Sequence, residues 1–499
     1  MIEYFLFGFH TLLTAQNILI IFFGTFLGII FGAIPGLTAS MAVALCLPIS
    51  FGMDAMAGFA LLIALYIGGV SGGLISAIVL NIPGTPSSIA TCFDGHPMAK
   101  KGEAGKALGV AVFYSFLGTI FGILILVFIA PPLAKIAVQF GSYEYFALAV
   151  FSLTLISGLA GKSLTKGIAS GASGMILAMV GLAPIDGVSR FTFGIHEFDN
   201  GFDLLPALIG LYAISEIMKS SENRETLGSS NIVTTQIKGF GFSLAEFKSQ
   251  IGNFFRSSLI GTGIGILPGI GGGTANLIAY MAARKRSKYP EKFGTGIIDG
   301  IIASEASNNA CIGGAMIPLL TLGIPGDGVT AMLLGGFTIH GLAPGPLLFS
   351  NNPQFIYTVF SALILASIAM VVLEYFGMRI FIKLLTIPKY YILPVVLVLC
   401  LVGSYGINNR MFDVWTLLLF GFLGYGFEKL NFPLPPIILG FILGPMAETN
   451  LRRGLQMSKG SFLPFFTNPI SGAFLSIAIL FVLITAIKEI HKNTTRTKG

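Results

Sequence analysis

The sequence predicts an all-α polytopic membrane protein with two inverted-topology repeats and a final C-terminal helix. Each repeat would contain a re-entrant hairpin, a broken helix and about four further transmembrane helices. Three observations carry this reading. Only 10% of the 499 residues are charged and 54% are hydrophobic, with a mean hydropathy of +0.86, whereas a soluble domain carries about 25% charged residues. The apolar runs are continuous and about 20 residues long rather than alternating, which selects helices over a barrel. Two stretches, Gly68 to Pro97 and Gly313 to Pro346, repeat one pattern of apolar run, Ile-Pro-Gly interruption and similar tail.

The interruptions organise the chain. At Asn81-Ile82-Pro83-Gly84-Thr85-Pro86, Pro83 removes a backbone donor and Gly84 permits positive φ, so a helix unwinds there and leaves peptide groups unpaired. In lipid such groups are tolerated only when buried in protein or lining a wet cavity. Ile324-Pro325-Gly326 repeats the device. A Gly/Pro kink serving helix packing is the plain alternative for one such break; two in corresponding positions favour a binding site.

The first repeat occupies 1–218, with a hairpin over 18–48 and a broken helix over 57–96. The loop after the break holds Lys100, Lys101 and Lys106 and is expected in the cytoplasm. Spans follow near 107–130, 144–160, 168–185 and 204–218. A polar cytoplasmic connector, 219–256, leads to the second repeat, 257–450, with a hairpin over 257–283 and a broken helix over 298–340. Its further spans lie near 355–378, 391–404, 412–427 and 434–447. Residues 451–499 supply a last helix, 469–487, and a basic tail with Lys488, Lys492, Arg496 and Lys498, which argues for a cytoplasmic C-terminus.

The basic residues exchange places between the halves. Arg284, Lys285, Arg286, Lys288 and Lys292 follow the second hairpin, whose counterpart is followed by none. The loop from His340 to Pro353 has no Lys or Arg, where the first half has three Lys. Equivalent loops therefore fall on opposite sides, which implies inverted repeats. Arg256 and Arg284 flank 257–283 on one side, so this segment is read as entering and returning, with its tip at Leu267 to Gly273. Symmetry gives the first hairpin a tip near Pro35 and Gly36. Arg452, Arg453 and Lys459 disagree with the count, since their 448–468 loop falls outside.

The candidate substrate site gathers the tips and the breaks. It comprises Pro35, Gly36, Thr38 and Ser40; Asn81, Pro83, Gly84, Thr85, Ser87 and Ser88; Pro268, Gly269, Gly271, Gly272, Gly273, Thr274 and Asn276; and Pro325, Gly326 and Asp327. Half-helix N-termini favour an anionic group, and carbonyl ends suit a hard cation. No Lys or Arg lies near the breaks, so backbone amides, hydroxyls and Asn side chains would hold an anion. Ser304, Glu305, Asn308 and Asn309, with Asp327, form the candidate cation-coupling set for Na⁺ or H⁺, Na⁺ sitting at the broken helices. Hydration of Glu305 at its helix end is the competing reading.

Other features exclude function classes. Cys46, Cys92, Cys311 and Cys400 stand alone in apolar surroundings, as small buried hydrophobes rather than metal or redox ligands. The net charge of +7 sits in short loops, a membrane bias rather than a nucleic-acid footprint. The Gly269 to Gly273 run lacks the GxxxxGK[ST] pattern of a nucleotide loop. His96 and His340 read as loop residues, and no catalytic arrangement is visible, so neither an enzyme nor a resident cofactor is expected. The N-terminus lacks the basic region of a cleaved signal.

The ordered motifs GAIPGLTAS, GGLISAIVLNIPGTPSS with FDGHPMAKKGEAGKALG, LPGIGGGTAN, SEASNNA and LGIPGDGVTAMLLGGFTIHGLAPGP together resemble the large membrane subunit of the tripartite tricarboxylate transporters, the TctA family. The likeness runs from about Phe26 to Phe349. The resemblance implies ion-driven import of an organic acid anion, a di- or tricarboxylate such as citrate, across the bacterial inner membrane. It further implies a periplasmic solute-binding protein and a small four-helix membrane subunit as partners. By analogy with hairpin-bearing transporters, an elevator-type movement of hairpins and broken helices past a static bundle is expected. An ion channel, a stand-alone carboxylate permease and a membrane enzyme are the alternatives; a homodimer is left open.

Overall fold

The computed structural model describes residues 2–159, 163–222, 242–385 and 387–496. The chain opens with α1 (Ile2–Leu12), an extra short helix that the apolar pattern did not single out. Then come α2 (Ala15–Ala33), a tight turn with Gly36 at φ 88°, and α3 (Ala39–Phe51), which Thr38 caps by accepting Met41 N–H at 3.2 Å. α4 (Ala55–Leu80) stops at Asn81, whose φ of 59° is left-handed, a conformation Asn tolerates better than most residues. After the irregular residues 82–85 and a single 3₁₀ turn at Pro86–Ser88, α5 (Ile89–Met98) completes the broken helix. α6 (Ala104–Ala137), α7 (Ser142–Leu159) and α8 (Leu164–Ala178) follow. A two-residue pairing of β1 (Gly181–Leu182) with β2 (Ser189–Arg190) precedes α9 (Leu204–Ile209) and α10 (Ser215–Glu222), which join through a widened turn.

The second half repeats the opening order. α11 (Leu244–Ile266) starts from a capping box of Ser243 and Glu246, and α12 (Gly271–Arg286) follows a tight turn. α13 (Ile298–Leu322) ends at Gly323, φ 71°, and α14 (Gly328–Ile339) resumes after the second break. The chain finishes with α15 (Pro346–Asn351), α16 (Pro353–Leu384), α17 (Lys389–Asn408), α18 (Met411–Lys429), α19 (Leu434–Met457), α20 (Leu463–Thr467) and α21 (Pro469–Arg496).

Helix pairs approach closely where side chains are absent. α2 lies along α4 with Gly28 and Gly72 against facing carbonyls, and α11 lies along α13 with Gly265 and Gly314 in the same role. Such close backbone contact is how helices associate without a hydrophobic drive in lipid. In each half the Gly of the break also rests on an earlier helix, α2 or α11. A Cβ on Gly84 would strike Gly32 O, and one on Gly326 would lie 2.7 Å from Gly265 O.

Seven helices among the described residues are long and apolar enough to cross a membrane. Bulky apolar side chains such as Phe376, Val402, Trp415 and Leu483 are exposed on α16, α17, α18 and α21, as a hydrocarbon surround requires. An all-α polytopic membrane fold is thus what the chain adopts.

Several expected boundaries move. The span expected over 168–185 ends at Ala178, because the chain turns into the β pairing at Gly181. The span expected over 434–447 runs on to Met457, so Arg452 and Arg453 belong to α19 rather than to a loop. There Arg452 meets Asp186 at 2.8 Å and Glu448 at 3.0 Å, and Arg190 meets Glu448 at 2.7 Å. These pairs tie α19 to the β1–β2 loop. α11 starts at Leu244, inside the connector expected over 219–256; residues 223–241 of that connector, and Lys498 of the tail, lie outside the described residues.

Candidate functional site

Four helix starts converge on a cavity of about 530 Å³. Its lining takes Thr38 to Ser40 from α3, Thr85 to Ser87 and Ile89 from the turn into α5, Gly271 to Thr274 from α12, and Asp327 to Val329 from α14. Each start exists because the sequence stops one helix with Pro or a left-handed residue and begins another within a few positions. The first N–H groups of a helix have no partner within it, and aligned peptides give that end a partial positive charge.

Two of the starts, those of α3 and α14, are capped by their own side chains, while at the turn into α5 the side chain of Ser88 ties back to the Thr85 backbone. Thr38 caps α3. Ser88 Oγ accepts the Thr85 N–H at 3.3 Å and donates to Thr85 O at 2.9 Å. Asp327 Oδ1 accepts Thr330 N–H at 2.8 Å, and its Oδ2 accepts Tyr66 Oη at 2.5 Å. The start of α12 has no side-chain cap. Its three glycines leave the backbone bare toward the cavity, and Gly271 has a φ of 68° that favours glycine.

Asn308 completes the floor. It is 1% exposed, lines the cavity, and neither Oδ1 nor Nδ2 has a hydrogen-bond partner among the described residues. Buried amides are almost always paired, so an unpaired one facing a cavity points to a guest. The lining contains no Lys or Arg. Its acids are Asp327, already capping and hydrogen-bonded, and Glu216 and Glu428 at one rim, where Lys219 lies 3.7 Å and 3.5 Å from them. The arrangement therefore offers amides, hydroxyls and helix ends, a set that can hold carboxylate oxygens.

The expected site residues divide. Thr38, Ser40, Thr85, Ser87, Gly269, Gly271, Gly272, Gly273, Thr274, Asn308 and Asp327 line the cavity. Pro35, Gly36, Pro83, Gly84, Ser88, Pro268, Pro325 and Gly326 lie behind it, shaping the tips and breaks. Asn276 is turned to Ser87 O, to which its Nδ2 donates. Asn81 is exposed and ends α4 rather than facing the cavity. Tyr66, Val70, Leu211 and Tyr212 also line it; they sit within apolar runs that show no polar signal of a site.

The expected cation-coupling set is also split, because neighbours on a helix face different ways. Asn308 faces the cavity, while Glu305, fully buried, faces α5 and α6. Glu305 accepts hydrogen bonds from Thr91 Oγ1 at 2.5 Å and Ser115 Oγ at 2.9 Å, with Asn309 Nδ2 at 3.4 Å. Ser304 Oγ joins Thr91 Oγ1 at 3.0 Å. Burial excludes the hydrated reading of Glu305. Asp94, buried in the FDGHP stretch, accepts Tyr280 Oη and the N–H groups of Gly294, Gly296 and Ile297 at 2.8–3.1 Å, pinning α5 to the α12–α13 loop.

A larger recess, about 730 Å³, lies beside the β1–β2 loop and the end of α19. Its basic side chain, Arg190, is held by Glu448. Two helix starts reach it, those of α9 at Leu204 and of α15 at Pro346, against four at the smaller cavity, and it is the weaker candidate.

The family model of the tripartite tricarboxylate transporter TctA family matches residues 18–439. An uncharacterized 52.8 kDa protein of the TAR-I ttuC' 3' region of Agrobacterium vitis is 34% identical over 486 residues, 97% of this chain and 96% of that protein. An uncharacterized protein of the TAR-II ttuC' 3' region of the same organism is 34% identical over 233 residues, 47% of this chain and 96% of that protein. No solved structure matches. The matched span contains both tips, both breaks and Asn308, so the helix starts and the family agree on the same stretch of sequence: the chain belongs to the tripartite tricarboxylate transporter TctA family.

Proposed function

We propose that this protein is the large transmembrane subunit of a tripartite transporter that imports an organic acid anion, a di- or tricarboxylate such as citrate. A periplasmic solute-binding protein delivers the acid, a small four-helix subunit accompanies the path, and an inward cation gradient drives uptake. The observation that carries the reading is the cavity itself: the uncapped start of α12 and the unpaired amide of Asn308 face one space that holds no basic side chain. Peptide dipoles bind an anion there without a fixed counter-charge that would hold it permanently. The co-transported cation then offsets the remaining charge.

The basic loops set the orientation. With Lys100, Lys101 and Arg284 to Lys288 in the cytoplasm of a bacterial inner membrane, the two hairpins enter from opposite faces as inverted repeats, and the C-terminus is cytoplasmic. The rim with Glu216, Lys219 and Glu428 is then the cytoplasmic one, and the cavity is inward-facing. An elevator-type movement of the hairpins and broken helices, past a bundle that includes α17 and α18, alternates access.

Counterflow tests this directly. Proteoliposomes containing the protein with its partner subunits and preloaded with unlabelled citrate or succinate should accumulate the labelled acid transiently. Leak without accumulation would indicate a channel, and absence of any movement for every acid tried would reject the carboxylate reading.

A further inference from the structure

Glu374 lies in the last third of α16, fully buried, and neither the hairpins nor the breaks use it. Its Oε2 accepts a 3.0 Å hydrogen bond from Ser71 Oγ of α4, and its Oε1 has no partner among the described residues. An ionised carboxylate with one donor in apolar surroundings is unfavourable unless a counter-charge stands beside it.

Among the described residues, no counter-charge is hydrogen-bonded to Glu374 from the helices around it. α2 and α15, packed on α16, carry no titratable side chain. α4 contributes Tyr66, which is bonded to Asp327. α6 contributes Tyr114, set among Phe242, Phe247 and Phe254, Lys106, paired with Glu246 near one end, and Lys135 near the other. α1 contributes Glu3, Tyr4 and His10, all exposed. On α16 itself Tyr375 is adjacent, Tyr357 and Lys383 lie toward the ends, and Arg379 is exposed. The charge within electrostatic reach is another acid, Glu305 of α13.

A metal cation does not fit either. Hard cations such as Ca²⁺ and Mg²⁺ take about six oxygens, and Ser71 is the one side chain hydrogen-bonded to Glu374. No group of three His, Cys, Asp or Glu exists among the described residues that could hold a metal. The ion that needs no cage is the proton.

We propose that Glu374 is a proton-binding site distinct from the substrate cavity, and that the proton it carries is the coupling ion. The proposal rests on the carboxylate-import reading above. The step is simple: the carboxylate takes up H⁺ from one side and returns it to the other, and no other bond changes. α16 packs along α2, α4 and α6, so the charge state of Glu374 decides whether the contact between α4 and α16 stays dry and closed.

The test uses the full-length protein reconstituted with its partner subunits, with [¹⁴C]citrate and [¹⁴C]succinate as probes. An inward proton gradient should stimulate wild-type uptake at least about fivefold, whereas a Na⁺ gradient at equal pH should not. Glu374→Gln should lose that stimulation and keep counterflow within about twofold. Stimulation of the wild type by Na⁺ alone, or an undiminished proton response in Glu374→Gln, would overturn the proposal. A second measurement does not depend on transport. Purified wild-type protein should show a protonated-carboxyl infrared band that Glu374→Gln lacks, and Ser71→Ala should alter the pH at which that band disappears. Identical bands in all three would overturn the proton site. The band with no counterflow of any carboxylate would instead support the site and reject the carboxylate reading.

Discussion

Gly272 and Asn308 stand face to face at the floor of the cavity: a methyl group on Gly272 would lie 2.6 Å from Asn308 Oδ1 and 3.0 Å from Ser87 Cβ. The glycine is required by space, not by its φ. On the proposed function, Gly272→Ala places a methyl where an anion's oxygens would sit. We expect counterflow to fall about tenfold or more, a loss of about 1.4 kcal/mol, with the amount of protein in the membrane unchanged. Wild-type counterflow in this variant would remove the cavity floor from the binding site.

Asn308→Ala tests the same surface from the other side. Its amide makes no hydrogen bond among the described residues, so thermal stability should shift little. A hydrogen bond to a charged guest is worth about 1.5–3 kcal/mol, and apparent affinity for citrate or succinate should fall about 10- to 100-fold. A destabilised variant with unchanged affinity would show that Asn308 is a packing residue.

Tyr66→Phe removes the 2.5 Å bond to Asp327 and leaves a carboxylate oxygen without that donor. The cost should be about 1–3 kcal/mol, visible as a lower melting temperature in detergent. No change would mean that Asp327 Oδ2 finds another donor when the hydroxyl is gone.

Glu246 gives a pH-dependent stability. Lys106, 2.9 Å away, and then the Ser243 N–H hold its carboxyl below the ordinary range. A depressed acid contributes stability above its unfolded value and loses it as pH falls through the folded one. Glu246→Gln should therefore destabilise the protein slightly at neutral pH, by less than about 1 kcal/mol for so exposed a pair, read as a small drop in melting temperature. The difference should shrink as the medium is acidified below the usual carboxylate range. A difference independent of pH would assign the effect to the helix cap alone.

The breaks were readable in the sequence because Pro83, Gly84, Pro325 and Gly326 act on their own backbone. What they touch was not. Asn81 looked like a ligand from its neighbours, yet as the left-handed end of α4 it points away from the cavity. Tyr66 and Tyr212 lie in helices buried on many sides, where no polar stripe marks the side facing the cavity. Glu374, which α4 meets through Ser71, is a single acid in a long apolar run, and only packing reveals its neighbour. Arg452 was assigned to a loop because its charge ends the hydrophobic pattern, whereas its pairs with Asp186 and Glu448 let α19 continue.

The bare opening turn of α12 has a consequence for selectivity. A mouth made of peptide groups measures the charge and girth of what enters and is blind to its finer chemistry. On the proposed function, discrimination between one acid and another then falls to lining side chains from other helices, Val70, Leu211 and Tyr212. Exchanging those side chains, while leaving the glycines alone, is the route by which this scaffold would be retuned to a different cargo.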